Sequence, residues 1–385
     1  MKSQWLKMHC AAHADGARRF CAAASAALMM ALVLSACAAR VTPPPDQAAA
    51  APPIAVATPL PLPAAARARP FPMQAVPADN PTTAAKVELG RQLFFDPVLS
   101  ANRSMSCATC HHPDLGFSNG QRVSTPRPGA PGRNAQTLWN TGFNRFLLWD
   151  GRETSLESQA RLPLTLPNEM AETPAQLETT LRAIPDYVTR FAQAFGGGDA
   201  AISFDNVTRA LAAFQRTLIS DNSPVDRYLA GETGALTASQ QRGLALFFDE
   251  RTHCAECHQP PTFAAETFRV VGVESEDAGR AGVSPNGLRG AFKVPTLRNV
   301  ARTAPYMHNG SLATLNDVIA FYAAGAGRAR GLSGVDPLLK GFDLSDQEQA
   351  DLVAFLQGLT DESRLPAVPA QALSGLPTVA RQPRP

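Results

Sequence analysis

Residues 107–111 read Cys107-Ala108-Thr109-Cys110-His111, and residues 254–258 read Cys254-Ala255-Glu256-Cys257-His258. The C-x-x-C-H spacing has a chemical reason. Two thiols add to the two vinyl groups on one edge of a porphyrin, and the adjacent imidazole then lies under the ring and ligates the iron. The competing reading is structural zinc, which needs four ligands, and the two cysteine pairs offer four thiolates. Zinc, however, gives no reason for a histidine to follow both pairs. The sequence therefore predicts two covalently bound haem c groups, attached at Cys107 and Cys110 and at Cys254 and Cys257. His111 and His258 are the expected axial ligands.

Both segments belong to a duplication. Gly90-Arg91-Gln92-Leu93-Phe94-Phe95-Asp96 precedes the first, and Gly243-Leu244-Ala245-Leu246-Phe247-Phe248-Asp249 precedes the second. Downstream, Thr137-Leu138-Trp139-Asn140 faces Thr296-Leu297-Arg298-Asn299. Trp149-Asp150-Gly151 faces His308-Asn309-Gly310, and Leu156 faces Leu315, each pair 159 residues apart. The matched residues are varied and ordered, which low-complexity coincidence does not explain. Duplication gives an N-terminal haem domain over residues 82–228 and a C-terminal haem domain over 229–361. Their periodicity is helical. Leu315, Val318, Ile319 and Tyr322 share one helix face, and Leu344–Leu359 is a second helix with Ser345 as N-cap. Val87–Phe95 and Val207–Leu218 read likewise, strand patterns are few, and the expected fold class is all-α.

The chain has 385 residues, with 35 Lys+Arg against 33 Asp+Glu. That length suits two domains, and the balanced charge without a basic run excludes a typical nucleic-acid binder. Collagen-like, coiled-coil and multi-span transport classes are excluded too. The one uncharged stretch approaching the roughly 18 residues of a membrane span lies at the N-terminus. There Lys2, Lys7, Arg18 and Arg19 precede an apolar run from Phe20 to Val33 and then Leu34-Ser35-Ala36-Cys37. This is the pattern of a bacterial lipoprotein signal over residues 1–36, with Cys37 as the lipidated first mature residue. An ordinary cleaved signal and an uncleaved anchor over 20–39 are the alternatives. Residues 37–81 are an Ala/Pro-rich tether with no usable hydrophobic period. As a flexible coil, residues 38–81 span roughly 33–40 Å. Removing residues 1–36 leaves 31 basic and 32 acidic residues, a mature charge of −1. Cys10 and Cys21 leave with the signal, so no cysteine remains for a disulfide. Residues 362–385 form a Pro-rich tail expected to be disordered.

The repeat also addresses the sixth position of each iron. Position 322 is Tyr, and its counterpart 159 residues earlier is Pro163. A tyrosine can ligate iron and a proline cannot. If both positions look onto their haems, tyrosinate closes one and the other stays open. The alternative is that Tyr322 is a core residue on an apolar helix face.

Taken together the motifs resemble the bacterial dihaem cytochrome c peroxidases and their relative MauG, the dihaem maturation enzyme of methylamine dehydrogenase. The resemblance covers about residues 82–360. It rests on both C-x-x-C-H sites, Arg133-Asn134-Ala135-Gln136-Thr137, Leu148-Trp149-Asp150-Gly151-Arg152, Asn168-Glu169-Met170, Val294-Pro295-Thr296-Leu297-Arg298-Asn299 and Thr303-Ala304-Pro305-Tyr306-Met307-His308-Asn309-Gly310. It implies two cytochrome c-like domains, with the peroxide site on the N-terminal haem and electron transfer through the C-terminal haem. It implies that Trp149 relays electrons between the haems, where the alternative is core packing. It implies that Glu169 is the acid–base group of the peroxide pocket, where the alternative is a surface glutamate. A carboxylate suits that step because it can take a proton from one peroxide oxygen and return it to the other. Gln159 and Pro163 match other positions of that pocket. Asn134, with the backbone carbonyls of Thr303 and Pro305, matches an interdomain calcium site, and so few carboxylates imply weak occupancy.

Two departures matter. The usual peroxidases carry a histidine in the loop before Arg133 that blocks the first haem, whereas residues 113–252 contain none. They also place methionine where this chain has Tyr322, which is the maturation-enzyme pattern. The expected function is reduction of hydrogen peroxide to water with electrons from a small periplasmic carrier, a cytochrome c or a cupredoxin. The rivals are a MauG-like enzyme that uses a peroxide-derived high-valent haem to oxidise a protein side chain, and a non-catalytic dihaem electron carrier. Membrane contact is expected through the lipid alone. Ala38, by resemblance to lipoprotein sorting signals, favours the outer membrane, facing the periplasm. The resemblance leaves room for a homodimer. His112, His253 and His308 are left with structural roles.

Overall fold

The computed structural model describes residues 66–124 and 132–378, all within one compact unit. Cys37 and the signal lie outside the described residues, as do residues 37–65 of the tether and half of the loop at 119–132.

Eleven α-helices are described. The first half holds α1 (Ala84–Phe95), α2 (Cys107–Cys110), α3 (Leu156–Thr165), α4 (Pro174–Arg182), α5 (Pro185–Phe195) and α6 (Phe204–Gln215). The second holds α7 (Pro224–Leu229), which puts Val225 and Tyr228 in the second core and so moves the expected boundary at 228 to before Pro224, then α8 (Ala238–Phe247), α9 (Cys254–Cys257), α10 (Leu315–Ala323) and α11 (Asp346–Gln357). One two-stranded antiparallel ribbon, β1 (Phe268–Val270) with β2 (Ala291–Lys293), pairs Phe268 with Lys293. The chain is thus mostly helical, with two cytochrome c-type domains. The helix expected over Val207–Leu218 starts earlier, at Phe204, because the Ser203 side chain accepts from Asn206 N and caps it there.

Each half has its own core, and the two cores repeat one another. In the first, α1 crosses α6, and the rings of Phe94 and Phe214 lie 5.2 Å apart. In the second, α8 crosses α11, with Phe247 and Phe355 at 4.7 Å. Both crossings depend on a glycine. A Cβ on Gly90 would collide with the Ala210 carbonyl, and one on Gly243 with the Asp351 carbonyl.

The 159-residue register holds in three dimensions. Helices α3 and α10 start that far apart, each capped by a hydroxyl, Ser155 or Thr314, accepting the N–H three residues on. The bridges Leu147–Glu153 and Tyr306–Leu312 correspond, as do the left-handed residues Asn140 and Asn299, and Leu148 and Met307. Non-glycine residues rarely enter that region, so its recurrence at equivalent places marks a common loop architecture.

Two expectations need correction. The tether is not free over its last stretch. Ala66 is fully buried in the second core, Phe71 meets Phe143 at 5.0 Å, and the Gln74 amide donates to the Arg216 carbonyl. The tail is not disordered over 362–378 either. Leu365, Val368, Leu373 and Leu376 lie between the polar and proline residues and pack on the first core. The tail is pinned at Asp96, a fully buried carboxylate that accepts from Val98 N (2.9 Å), Tyr187 OH (2.7 Å), Ser374 Oγ (2.6 Å) and Ser374 N (3.1 Å). Scattered apolar residues give no period, yet each can fill a groove on a surface that is already built.

Deleting residues 365–385 should therefore lower the urea midpoint of the holoprotein, because it removes those four side chains from the first core together with two of the four donors to Asp96. Tyr187→Phe should cost about 0.5–1.5 kcal/mol, one hydrogen bond. A truncated chain as stable as the full one would show that the tail contributes nothing.

Candidate active site

The two C-x-x-C-H segments fold alike because each is a single helical turn, α2 or α9, that ends on its histidine. The His111 ring Nδ1 lies 2.9 Å from the Phe117 carbonyl, and the His258 Nδ1 lies 3.0 Å from the Phe263 carbonyl. Both phenylalanines are fully buried and take left-handed backbone conformations, with φ of 58° and 50°. That conformation turns the carbonyl back towards the imidazole. A carbonyl can only accept, so Nδ1 carries the proton and Nε2 keeps its lone pair. Burial pushes His258 down to about 4, against the pull of the Phe263 and Pro295 backbone groups, and lowers His111 in the same way. Each imidazole is therefore neutral at pH 7, as a metal ligand must be.

The sulfurs fit as well. Burial pushes Cys107 up to about 12 and Cys254 up to about 11, so both stand as uncharged sulfur in apolar walls, the surroundings that an uncharged thioether needs. In the second half Cys254, Cys257 and His258 open on a cavity of about 270 Å³, lined also by Leu315, Ile319, Tyr322 and Phe342. A flat, largely apolar cofactor matches that lining. Tyr322 comes from α10, and burial, followed by the two cysteines, pushes its phenol above the ordinary tyrosine value.

In the first half, Gln159 and Pro163 stand one turn apart on α3. The turn after α3 is tied back to it, with Met170 N donating to the Pro163 carbonyl (3.0 Å) and Glu169 N to the Leu166 carbonyl (3.0 Å). Glu169 is half-buried there, and its charge reaches both Cys110 and His111. The fold thus brings the end of α3 and its turn, with Pro163 and Glu169, towards His111 from the preceding C-x-x-C-H segment.

Trp149 stands where the halves meet. Its indole N–H donates to the Asn134 carbonyl (2.9 Å), and its own carbonyl accepts from Lys293 N (2.8 Å) of the second half. Its repeat counterpart, His308, meets it in space at 6.5 Å and stacks on Phe292 at 3.8 Å. Asn134 N donates to the His308 carbonyl (2.8 Å), while Asn134, Thr303 and Pro305 all line the same cavity. His112 Nδ1 accepts from Asp114 N, and His253 precedes α9 in a left-handed conformation. Among the described residues no group of three or more His, Cys, Asp or Glu side chains forms a metal cluster.

Below Trp149 runs an ion network that sequence reading missed. Arg133 donates to Asp150 (2.7 Å) and, through two nitrogens, to Asp277 of the second half (2.7 and 2.8 Å). Asp150 also holds Arg152. Burial pushes both acids up, but their arginine partners outweigh it and keep each below the usual carboxylate range. Asp277 lies in a loop without periodicity, and no signal in the sequence marks it. Lys293 was missed too, although it adjoins the Val294–Asn299 motif.

This arrangement defines a class, the c-type cytochromes with two haem-binding halves meeting at a shared aromatic. Comparison with known proteins narrows it. Residues 84–234 match the family described as di-haem cytochrome c peroxidase, and residues 240–360 match cytochrome c. The chain is 40% identical over 288 residues to the methylamine utilization protein MauG of Methylophilus methylotrophus, covering 74% of this chain and 84% of that one. It is 35% identical over 336 residues to the cytochrome c551 peroxidase of Pseudomonas aeruginosa, covering 83% and 92%. A solved MauG-like protein associated with microbial copper homeostasis superposes with a TM-score of 0.70 at 36% identity, covering 76% and 94%. The chain belongs to the di-haem cytochrome c peroxidase and MauG family. It is an oxidoreductase of peroxide carrying two haem c groups.

Arg133→Ala would leave the buried Asp277 without its arginine and Asp150 with Arg152 alone, and at pH 7 it should cost about 3–5 kcal/mol. The sign with pH is fixed by the depressed folded-state values. Stability from Asp150 and Asp277 is present above their unfolded pKa, near 3.9, and is lost as pH falls through the lower folded values. The gap between wild type and variant in urea unfolding should therefore narrow on going from pH 7 to pH 3. A gap independent of pH would refute the ionic account.

Proposed function

We propose that this chain reduces hydrogen peroxide to water at its N-terminal haem, with electrons delivered singly by a cytochrome c or a cupredoxin through the C-terminal haem. The supporting observation is the asymmetry of two equivalent helices. Helix α10 brings Tyr322 to the cavity of Cys254, Cys257 and His258, whereas α3 has Pro163 at the matching position, with Glu169 in the turn tied to it. When bound, haem c supplies the metal coordination and one-electron chemistry that peroxide cleavage requires. His111 and His258 would hold the two groups through their Nε2 lone pairs. Tyr322 would offer its phenol oxygen to the second group, whereas Pro163 has no ligating atom to offer the first. Glu169 takes a proton from one oxygen of hydrogen peroxide and returns it to the departing oxygen, which leaves as water, and the remaining oxygen leaves as a second water once two electrons and two protons have been delivered. Gln159 orients the peroxide from the same helix, and Trp149 links the two sites. Calcium would take Asn134 with the carbonyls of Thr303 and Pro305. Cys37 would tether the chain to the outer membrane, facing the periplasm.

A second reading, oxidation of a protein side chain, draws on Tyr322 and on the 40% identity to MauG. Sustained turnover of peroxide with reduced cytochrome c separates the two, because only the first reading requires it. Glu169→Gln keeps the size and removes the base. It should slow peroxide consumption about 10²–10⁴-fold, with both haems still present by pyridine haemochrome. An unchanged rate would remove Glu169 from the mechanism.

The diferric protein should react with peroxide in stopped flow without prior reduction, since no histidine is available in the loop before Arg133. Inertness until one electron is added would contradict this. Tyr322, by donating an anionic oxygen, favours the ferric state. Tyr322→Phe should raise the potential of the second haem and change its electron paramagnetic resonance signal. An identical signal would make Tyr322 a core residue only.

A further inference from the structure

Among the described residues four cationic side chains are buried: Lys86, Arg216, Lys293 and Arg298. Three have partners. Lys86 donates to Asn80 Oδ1 at 3.0 Å, Arg216 holds both oxygens of Glu157, and Arg298 holds both oxygens of Asp226 at 2.7 Å. Lys293, only 4% exposed, makes no hydrogen bond or ion pair through Nζ among the described residues. The one acid whose charge reaches it is Glu266, and that carboxylate is committed to the N–H groups of Arg145 and Phe146, both at 3.1 Å.

A buried ammonium without an anion is among the costliest arrangements in a protein interior, and burial accordingly lowers Lys293 below the usual lysine value. A methionine could fill the same space without that cost. The position of Lys293 shows what the charge can meet. It ends β2, its backbone N–H is bonded to the Trp149 carbonyl, and its side chain lines the cavity of Cys254, Cys257 and His258. Its charge reaches His258. The anionic groups that a haem c brings into such a cavity are its two propionates.

We propose that Lys293 pairs with a propionate of the second haem, fixing that edge against Trp149 and raising the potential of that haem. A positive charge beside the ring favours the form with one more electron, so its loss must shift the couple the other way. Lys293 is a positioning residue here and takes no part in peroxide chemistry. The inference rests on a haem in the second cavity and not on which peroxide reaction the chain performs.

The test is a potentiometric titration of the holoprotein and of Lys293→Met and Lys293→Arg, followed at the second haem. In Lys293→Met the ferrous-to-ferric ratio at a fixed poise should fall about tenfold, a drop of about 59 mV for a one-electron couple. Lys293→Arg keeps the charge and should stay within about threefold of wild type. An unchanged potential in Lys293→Met, with both haems bound, would overturn the assignment. If Lys293→Met fails to retain the second haem and Lys293→Arg retains it, the charge is needed and the assignment stands. If both fail, the position serves packing and the assignment falls. No arm reads peroxide turnover, so failure of the peroxidase reading would leave this outcome intact.

Discussion

Everything in this molecule is arranged around two backbone carbonyls that aim two imidazoles. A histidine at the end of a one-turn helix could point in several directions and carry its proton on either nitrogen. The carbonyls of Phe117 and Phe263 remove both freedoms, because each accepts from Nδ1 and leaves Nε2 as a lone pair directed away from the backbone. Turning a carbonyl that way requires a left-handed phenylalanine, which is costly unless the side chain is locked. The aromatic cores provide the lock, with Phe117 against Phe94 and Trp139, and Phe263 against Phe247 and Phe355. The helix crossings at Gly90 and Gly243 set those cores. The chemistry of the proximal ligand and the packing of the fold are thus one constraint, met twice.

Duplication explains the sameness of the halves, and their use depends on where they differ. At the position where α10 carries Tyr322, α3 carries Pro163. Where the first half carries Trp149, the second carries His308, and these two rings meet at the seam. The seam also carries charged residues. Arg133 binds acids from both halves, and Lys293 is hydrogen-bonded by its backbone to Trp149 and lines the second cavity. In a low-dielectric interior these charges act strongly on one another and on any anionic group placed between them.

The terminal segments show a different economy. Residues 66–81 and 362–378 have no secondary structure worth a period, yet each is laid onto a finished surface by a few apolar side chains and a few well-placed donors. Asp96 alone gathers four hydrogen bonds from three separate stretches of chain. Such segments contribute to stability without being able to fold on their own.

The sequence by itself determined the haem count, the helical class, the duplication and its register, and it named the expected attachment residues. These depend on covalent chemistry and on local periodicity, both of which are written in neighbouring residues. It also marked Pro163 and Tyr322 as positions where the halves diverge, and the family resemblance pointed to Glu169. Only the tertiary structure decided that Glu169 lies near His111, that His308 meets Trp149, and that Asp277 completes the Arg133 network. It alone decided that the tail returns to Asp96 and that the Lys293 ammonium has no partner among the described residues. The reason is physical. A hydrogen bond or an ion pair between residues 144 or 278 positions apart leaves no trace in local pattern. Whether a buried charge has a partner is a property of the space around it, and that space exists only once the chain has folded.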